Sequence, residues 1–143
     1  MHPKHDEDFY AWAMEEANLL RQRRLNELDI DNLIEELESM GASEKRELVS
    51  RLSQLLMHLL KWEYQPGFRG RSWKDSIEDQ RQEIKENLED SPSLRYKIDE
   101  LMPRIYNNAR RKFRHETGLQ EKILPPSVPY TFNQIMDETF FPE

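Results

Sequence analysis

Residues 43–71, SEKRELVSRLSQLLMHLLKWEYQPGFRGR, decide the fold class of this chain. At 100° per residue, the leucines, Val49 and Trp62 of this stretch fall within an arc of about 160° around a helix axis. Such an arc is wider than the seam of a coiled coil. We therefore expect the core helix of a bundle, running from about Glu44 to Trp62, with Pro66, Gly67 and Gly70 ending it.

Helical periodicity continues upstream of this helix. We predict one helix over about residues 6–24 and a second over about residues 30–40, where apolar residues recur at three- and four-residue intervals. Asp29 is the predicted N-cap of the second helix. Gly41 either breaks the chain or bends one longer helix, and the pattern leaves both alternatives open.

Helical periodicity also continues downstream. Ser72 is the predicted cap of a helix from Trp73 to about Glu89. Ser91 followed by proline predicts the start of a further helical region that ends near Gly118. Pro103 must kink or divide that region, because proline lacks the backbone donor and crowds the preceding turn.

The sequence after residue 123 predicts an extended segment and then a short helix. Residues 124–130 contain three prolines and are predicted to be an extended surface segment, and Thr131 with Gln134 resembles a capping box for the helix that follows. We therefore expect an all-α fold: a single domain over residues 1–143, built as a bundle of about six helices with an antiparallel core around one long central helix.

Composition narrows the functional classes. The net charge is −7, so a nucleic-acid site would have to be local. The chain has no cysteine, which excludes disulfides, thiolate catalysis and cysteine-ligated zinc. No apolar stretch approaches the roughly 20 residues that span a bilayer, and the residues that follow Met1 lack an apolar targeting region. We expect a soluble cytoplasmic protein that does not bind membranes.

Several stretches together resemble the bacterial family catalogued as domain of unknown function 29. They are DEDFYAWAMEEANLLR (6–21), LDIDNLIEELESMGASEKREL (28–48), LLMHLLKWEYQP (55–66), RSW (71–73), DSPSL (90–94) and PYTFNQIMDETFFP (129–142). The resemblance spans nearly the whole chain, and the combination of HLLKW with YQP is fairly specific. It implies a small all-helical domain and no particular reaction.

The loop after the central helix is the first candidate binding site. It holds Trp62, Tyr64, Gln65, Arg69, Arg71 and Trp73. Tryptophan, tyrosine and arginine anchor protein interfaces, and two arginines beside a helix N-terminus suit a phosphate or carboxylate. Asp75 weakens the anion interpretation, since it competes for the same backbone donors. In the alternative interpretation, Arg69 and Arg71 pair with acids of neighbouring helices while the tryptophans cover the bundle end.

A basic stripe is the second candidate. It comprises Arg104, Arg110, Arg111, Lys112 and Arg114. Its functional interpretation is contact with a nucleic-acid backbone through about four charges. We favour the structural alternative, because basic residues suit a helix C-terminus and residues 75–90, with a net charge of −5, offer an acidic surface to match.

The remaining residues are weaker candidates for a functional site. His58 lies on the polar edge of the central helix without a second histidine three or four residues away, so we expect a boundary residue rather than a metal ligand or a base. The acids of residues 27–38 fit a solvated helix face, and no metal site or cofactor is expected. No catalytic motif is present. We expect a module that binds another protein or itself, with nucleic-acid binding through residues 104–114 as the alternative and an enzyme of unknown class as a distant third.

Overall fold

In the computed structural model, which describes residues 2–143, the predicted all-α fold is confirmed. The five α-helices of this part of the chain are α1 (Phe9–Arg21), α2 (Ile30–Tyr64), α3 (Arg71–Asp90), α4 (Ile98–Thr117) and α5 (Phe132–Met136), and it contains no strand. Short 3₁₀ helices lie at Leu25–Glu27, Pro66–Phe68, Pro92–Lys97 and Glu121–Ile123. None of the helices within residues 2–143 carries an apolar stretch long enough to cross a bilayer.

Gly41 does not break the chain. The second and third predicted helices are one continuous helix, the 35-residue α2, which explains why five α-helices replace the expected six. A glycine costs a helix interior only about 1 kcal/mol, and the residues on both sides of Gly41 keep the same apolar periodicity. The alternative in which Gly41 ends a helix is therefore wrong.

The predicted cap of α3 is wrong, and so is the alternative in which Pro103 divides its helical region. The N-cap of α3 is Gly70, in extended backbone, and Ser72 lies inside the first turn. The region after Ser91 is divided between Lys97 and Ile98, where a 3₁₀ helix becomes α4, and α4 then continues through Pro103. Proline at that place removes one backbone donor, while burial of the apolar face of α4 stabilises the helix on both sides.

The predicted start of α5 is confirmed. Thr131 accepts a hydrogen bond from the backbone of Gln134, whose side chain accepts one from the backbone of Thr131, so both bonds of the capping box form. The segment before it was predicted to lie on the surface, but its two ends, Leu124 and Tyr130, are buried.

The chain is divided into two compact units, the first ending at Ser43 and the second running from Glu44 to Glu143. In the N-terminal unit, Trp12 and Leu19 of α1 are buried. The indole of Trp12 donates to Asp29 at 3.0 Å, and the backbone N–H of Asp29 donates to the carboxylate of Glu16 at 3.1 Å. These bonds join α1 to the first turn of α2. The single-domain organisation stays a prediction.

The C-terminal unit contains the larger core. Its central leucines lie on α2 and pack with the apolar faces of α3 and α4 and with the segment that follows α4. The fully buried members are Leu48, Leu52, Leu55, Leu56, Met57, Leu59, Leu60, Ile77, Ile84, Ile98, Ile105, Ala109 and Phe113. The predicted leucine arc of residues 48–60 is thus the face that forms the core.

Candidate binding surfaces

The loop between α2 and α3 is fastened by Arg69. The guanidinium of Arg69 lies 5.3 Å from the ring centre of Trp62, and its Nε donates to the backbone oxygen of Trp62 at 2.7 Å. Its Nη2 donates to the backbone oxygen of Pro142 at 3.3 Å. Phe141 completes the cluster with its ring 5.0 Å from Trp62. Arg69 therefore binds carbonyls of its own chain, and its expected pairing with a carboxylate of a neighbouring helix is wrong.

Trp73 and Tyr64 are also engaged within the C-terminal unit. Phe68 stacks on Trp73 at 6.5 Å between ring centres, and the ammonium group of Lys61 lies 4.7 Å from the same indole. Tyr64 meets Phe113 edge to face at 6.3 Å, and burial raises the pKa of its phenol. Tyr64 packs against the buried core, whereas Trp73 is half-buried against Phe68 and Lys61.

Arg71 and Phe68 are two large side chains of the loop that face solvent. The Arg71 side chain is 94% exposed, and its Nε is 3.9 Å from Asp75, too far for a hydrogen bond. Phe68 is 70% exposed. Because Arg69 is fastened and Arg71 is not, the two arginines do not form one anion site.

Arg81 of α3 is a buried charged residue that the sequence did not identify as a candidate. It is 4% exposed, and it donates from Nε to the carbonyl of Ile135 and from Nη2 to that of Phe140, both at 2.7 Å. Its guanidinium also lies 5.4 Å from the ring centre of Phe141. Burial lowers the pKa of Arg81, while Asp137 and Glu138 act in the opposite direction.

Arg81 lies at the edge of a surface cavity of about 310 Å³. The lining residues are Lys74, Asp75, Glu78, Arg81, Glu138 and Phe141. Since the Arg81 donors Nε and Nη2 are already bound to backbone carbonyls, this residue holds α5 and the segment after it against α3.

The basic stripe of α4 divides into two groups by what its side chains contact. Arg110 lies over Tyr106 at 5.5 Å, and Arg114 pairs with Glu121 at 3.3 Å. Arg104, Arg111 and Lys112 line a groove of about 310 Å³ between α4 and α2. Within residues 2–143 the stripe pairs with Glu121 and not with residues 75–90, so the expected match to that acidic surface is wrong.

His58 is the half-buried boundary residue that the sequence predicts. Its Nδ1 lies 3.0 Å from the backbone oxygen of Gln54, one turn earlier on α2. A carbonyl only accepts, so Nδ1 carries the proton in this bond. Burial lowers the pKa of His58, which favours the neutral ring. In the part of the chain that the structure describes, no cluster of three histidine or acidic side chains is arranged to hold a metal ion.

The first half of α2 presents large apolar side chains to solvent. Ile30, Ile34, Leu37 and Met40 are all exposed, Leu37 at 65%. On α1, Tyr10 and Met14 are exposed as well. The N-terminal unit therefore leaves uncovered many of the side chains that normally form a helix-packing face.

A protein-family model described as domain of unknown function DUF29 matches residues 5–141, nearly the whole chain. The chain belongs to the DUF29 family. Comparison with curated proteins and with solved structures gave no match. Membership of DUF29 confirms the resemblance found in the sequence and assigns no reaction or ligand to these residues.

Sequence reasoning missed two contributions to the surfaces of this DUF29 protein. Arg81 looked like one charge of a solvated helix, because its acceptors lie 54 and 59 residues further along the chain. Arg46 lies on α2, more than 50 residues before the basic stripe, and joins it only through the packing of α2 against α4. Neither contact leaves a local signal in the sequence.

Proposed function

We propose that this DUF29 protein is a protein–protein interaction module of the bacterial cytoplasm, and that its partner binds the first half of α2. One observation carries the proposal: Ile30, Ile34, Leu37 and Met40 form an exposed apolar face on a helix. Such patches, when they are contiguous and bordered by polar residues, mark interaction sites.

The register of α2 supports this interpretation. Ile30, Ile34 and Leu37 each lie 18 residues before a buried leucine of the same helix, namely Leu48, Leu52 and Leu55. Eighteen residues are about five turns, so each pair has the same angular position around an ideal helix. In the second half of α2 this face packs against other helices. The same pattern in the first half therefore suits a helix supplied by a partner.

Charge indicates what kind of helix that is. Asp31, Glu35 and Glu38 are exposed and border the apolar face on one side. A second copy of the same face would bring these acids against their own equivalents, which is unfavourable. An amphipathic helix whose apolar stripe is bordered by lysine or arginine complements both the apolar face and its acidic border. Such a helix is the partner segment that this proposal names.

The test places a photo-crosslinking amino acid at position 37 in the native host and identifies the attached segment by mass spectrometry. We expect a segment of another protein with helical apolar periodicity and basic borders. As a synthetic peptide, it should bind the Ile34→Ser, Leu37→Ser double variant at least about tenfold more weakly than the wild type. Tyr96→Ser, which removes an 88% exposed ring elsewhere, is the control and should leave the affinity unchanged.

Three outcomes would overturn the proposal. In the first, the crosslink forms only to a second copy of this chain. In the second, it forms to a segment whose apolar stripe is not bordered by basic residues. In the third, the double variant and Tyr96→Ser weaken peptide binding equally. The loop proposed from the sequence is tested in the same assay: if Arg71→Ala weakens binding and the double variant does not, the partner binds beside Trp73 instead.

Nucleic-acid binding through residues 104–114 stays the alternative function. The charge of the stripe that is available to one nucleic-acid backbone is reduced, because Arg110 contacts Tyr106 and Arg114 pairs with Glu121. This arrangement favours a compact ligand over a long polyanion.

A further inference from the structure

A basic groove runs between α2 and α4 in the C-terminal unit. Its cations are Arg46 of α2 and Arg104, Arg111 and Lys112 of α4, and its volume is about 310 Å³. Arg104 and Arg111 are seven residues apart and so have nearly the same angular position on α4, and Lys112 lines the groove beside them. Val49 and Ser53 are buried beneath them.

These cations are not neutralised by the protein. Among residues 2–143, none of the four has a carboxylate oxygen within 4.0 Å, whereas Arg51 and Arg114 both do. Within the described part of the chain, the only hydrogen bond that any of these four side chains makes is that from Nη2 of Arg111 to the amide oxygen of Asn108 at 3.0 Å. Four like charges around one groove repel each other, and an anion bound among them relieves that repulsion.

We propose that this groove binds an oligophosphate group, either free or as the phosphate chain of a small metabolite. Arginine and lysine are the side chains that recognise phosphate oxygens, and the hydroxyl group of Ser50 and the amide of Asn108 lie in the same lining to bond the remaining oxygens. The lining contains no aromatic ring, so the site recognises the phosphates and not an attached base.

The same features argue against nucleic acid as the occupant. Single-stranded nucleic acid is held by stacking of bases on aromatic side chains, which this groove lacks. A long duplex would also meet the rest of a protein whose net charge is −7. A short anion of high charge density meets only the four cations.

The test compares two double variants by isothermal titration with sodium tripolyphosphate at physiological salt. Arg104→Gln with Arg111→Gln removes two groove cations, while Arg110→Gln with Arg114→Gln removes two cations of α4 that do not line the groove. Both variants change the net charge equally and on the same helix. We expect the first to weaken binding about 10- to 100-fold and the second to change it less than about twofold. Arg46→Gln should weaken binding as well, since the site includes α2.

A nucleoside triphosphate should bind about as tightly as tripolyphosphate, and a single-stranded oligodeoxynucleotide should not displace either. Equal weakening by the two double variants would reduce the binding to general charge attraction and overturn the proposal. So would the absence of binding at millimolar tripolyphosphate, or tighter, groove-dependent binding of the oligonucleotide. Thermal melts verify folding, and if a double variant fails to fold, Arg104→Gln and Arg110→Gln make the same comparison.

Discussion

Two histidines of this protein lie in opposite electrostatic environments. The Nε2 of His5 is 2.6 Å from Glu36 and its Nδ1 is 2.8 Å from Asp6, within the N-terminal unit. Bonding to Glu36, and then to Asp6, raises the pKa of His5. Burial lowers the pKa of His58. The pKa of the same residue type is thus raised in one place and lowered in the other.

We expect the two rings to titrate on opposite sides of the ordinary value of about 6.5, as followed by NMR of the ring protons. The contact of His5 with Glu36 stabilises the fold below that value, and this contribution is lost as the pH rises through the raised pKa of His5. For His58 the sign is reversed: charging a half-buried ring destabilises the fold as the pH falls through its lowered pKa.

Glu36→Gln should lower the titration midpoint of His5, because it removes the largest cause of the raised pKa. Asp31→Asn removes a carboxylate from the same stretch of α2 and serves as the control. A His5 midpoint at or below the ordinary value in the unaltered protein would contradict the contact with Glu36.

At the scale of the element, α2 shows how far helical periodicity carries a prediction. The apolar period of residues 48–60 predicted which face is buried, because the core selects that face directly. The positions at which helices begin, bend or end were harder to predict. Gly41, Ser72 and Pro103 carry preferences of only about 1 to 3 kcal/mol each, and packing along a whole helix face outweighs them.

Gly41→Ala should stabilise the protein by about 1 kcal/mol in denaturant melts, since alanine is the better helix former and nothing lies within 4 Å of the added Cβ. Gly118→Ala is the contrasting variant. Gly118 has a φ of +74°, where a side chain is strained, so this change should destabilise by about 1 kcal/mol. A destabilised Gly41→Ala protein would mean that α2 needs glycine at this point.

At the scale of the whole molecule, the sequence predicted the core better than the candidate sites. A core leucine is recognised by its period, which is local. Arg69 is bound by a backbone carbonyl 73 residues away, and Arg81 by one 54 residues away. No local sequence pattern indicates contacts over such separations. The groove cation Arg46 is placed by the packing of two helices, so it too needed the fold.

Leu56→Ala should cost about 2 to 5 kcal/mol of unfolding free energy, because Leu56 is fully buried among the other core leucines. This is a large part of the stability of an ordinary domain. Leu37→Ala makes the same change at an exposed position of the same helix and should cost less than about 0.5 kcal/mol. Equal losses in the two melts would refute the orientation of α2.

The bonds of Arg81 also bear on how the protein is made. On the ribosome, Arg81 is synthesised 54 residues before Ile135 and 59 before Phe140, the two residues whose carbonyls accept from it. Until they follow, its guanidinium has to stay hydrated, since burying an unpaired charge is costly. The face of α3 around Arg81 can therefore close only after the segment up to Phe140 has been made and is free to fold back onto it.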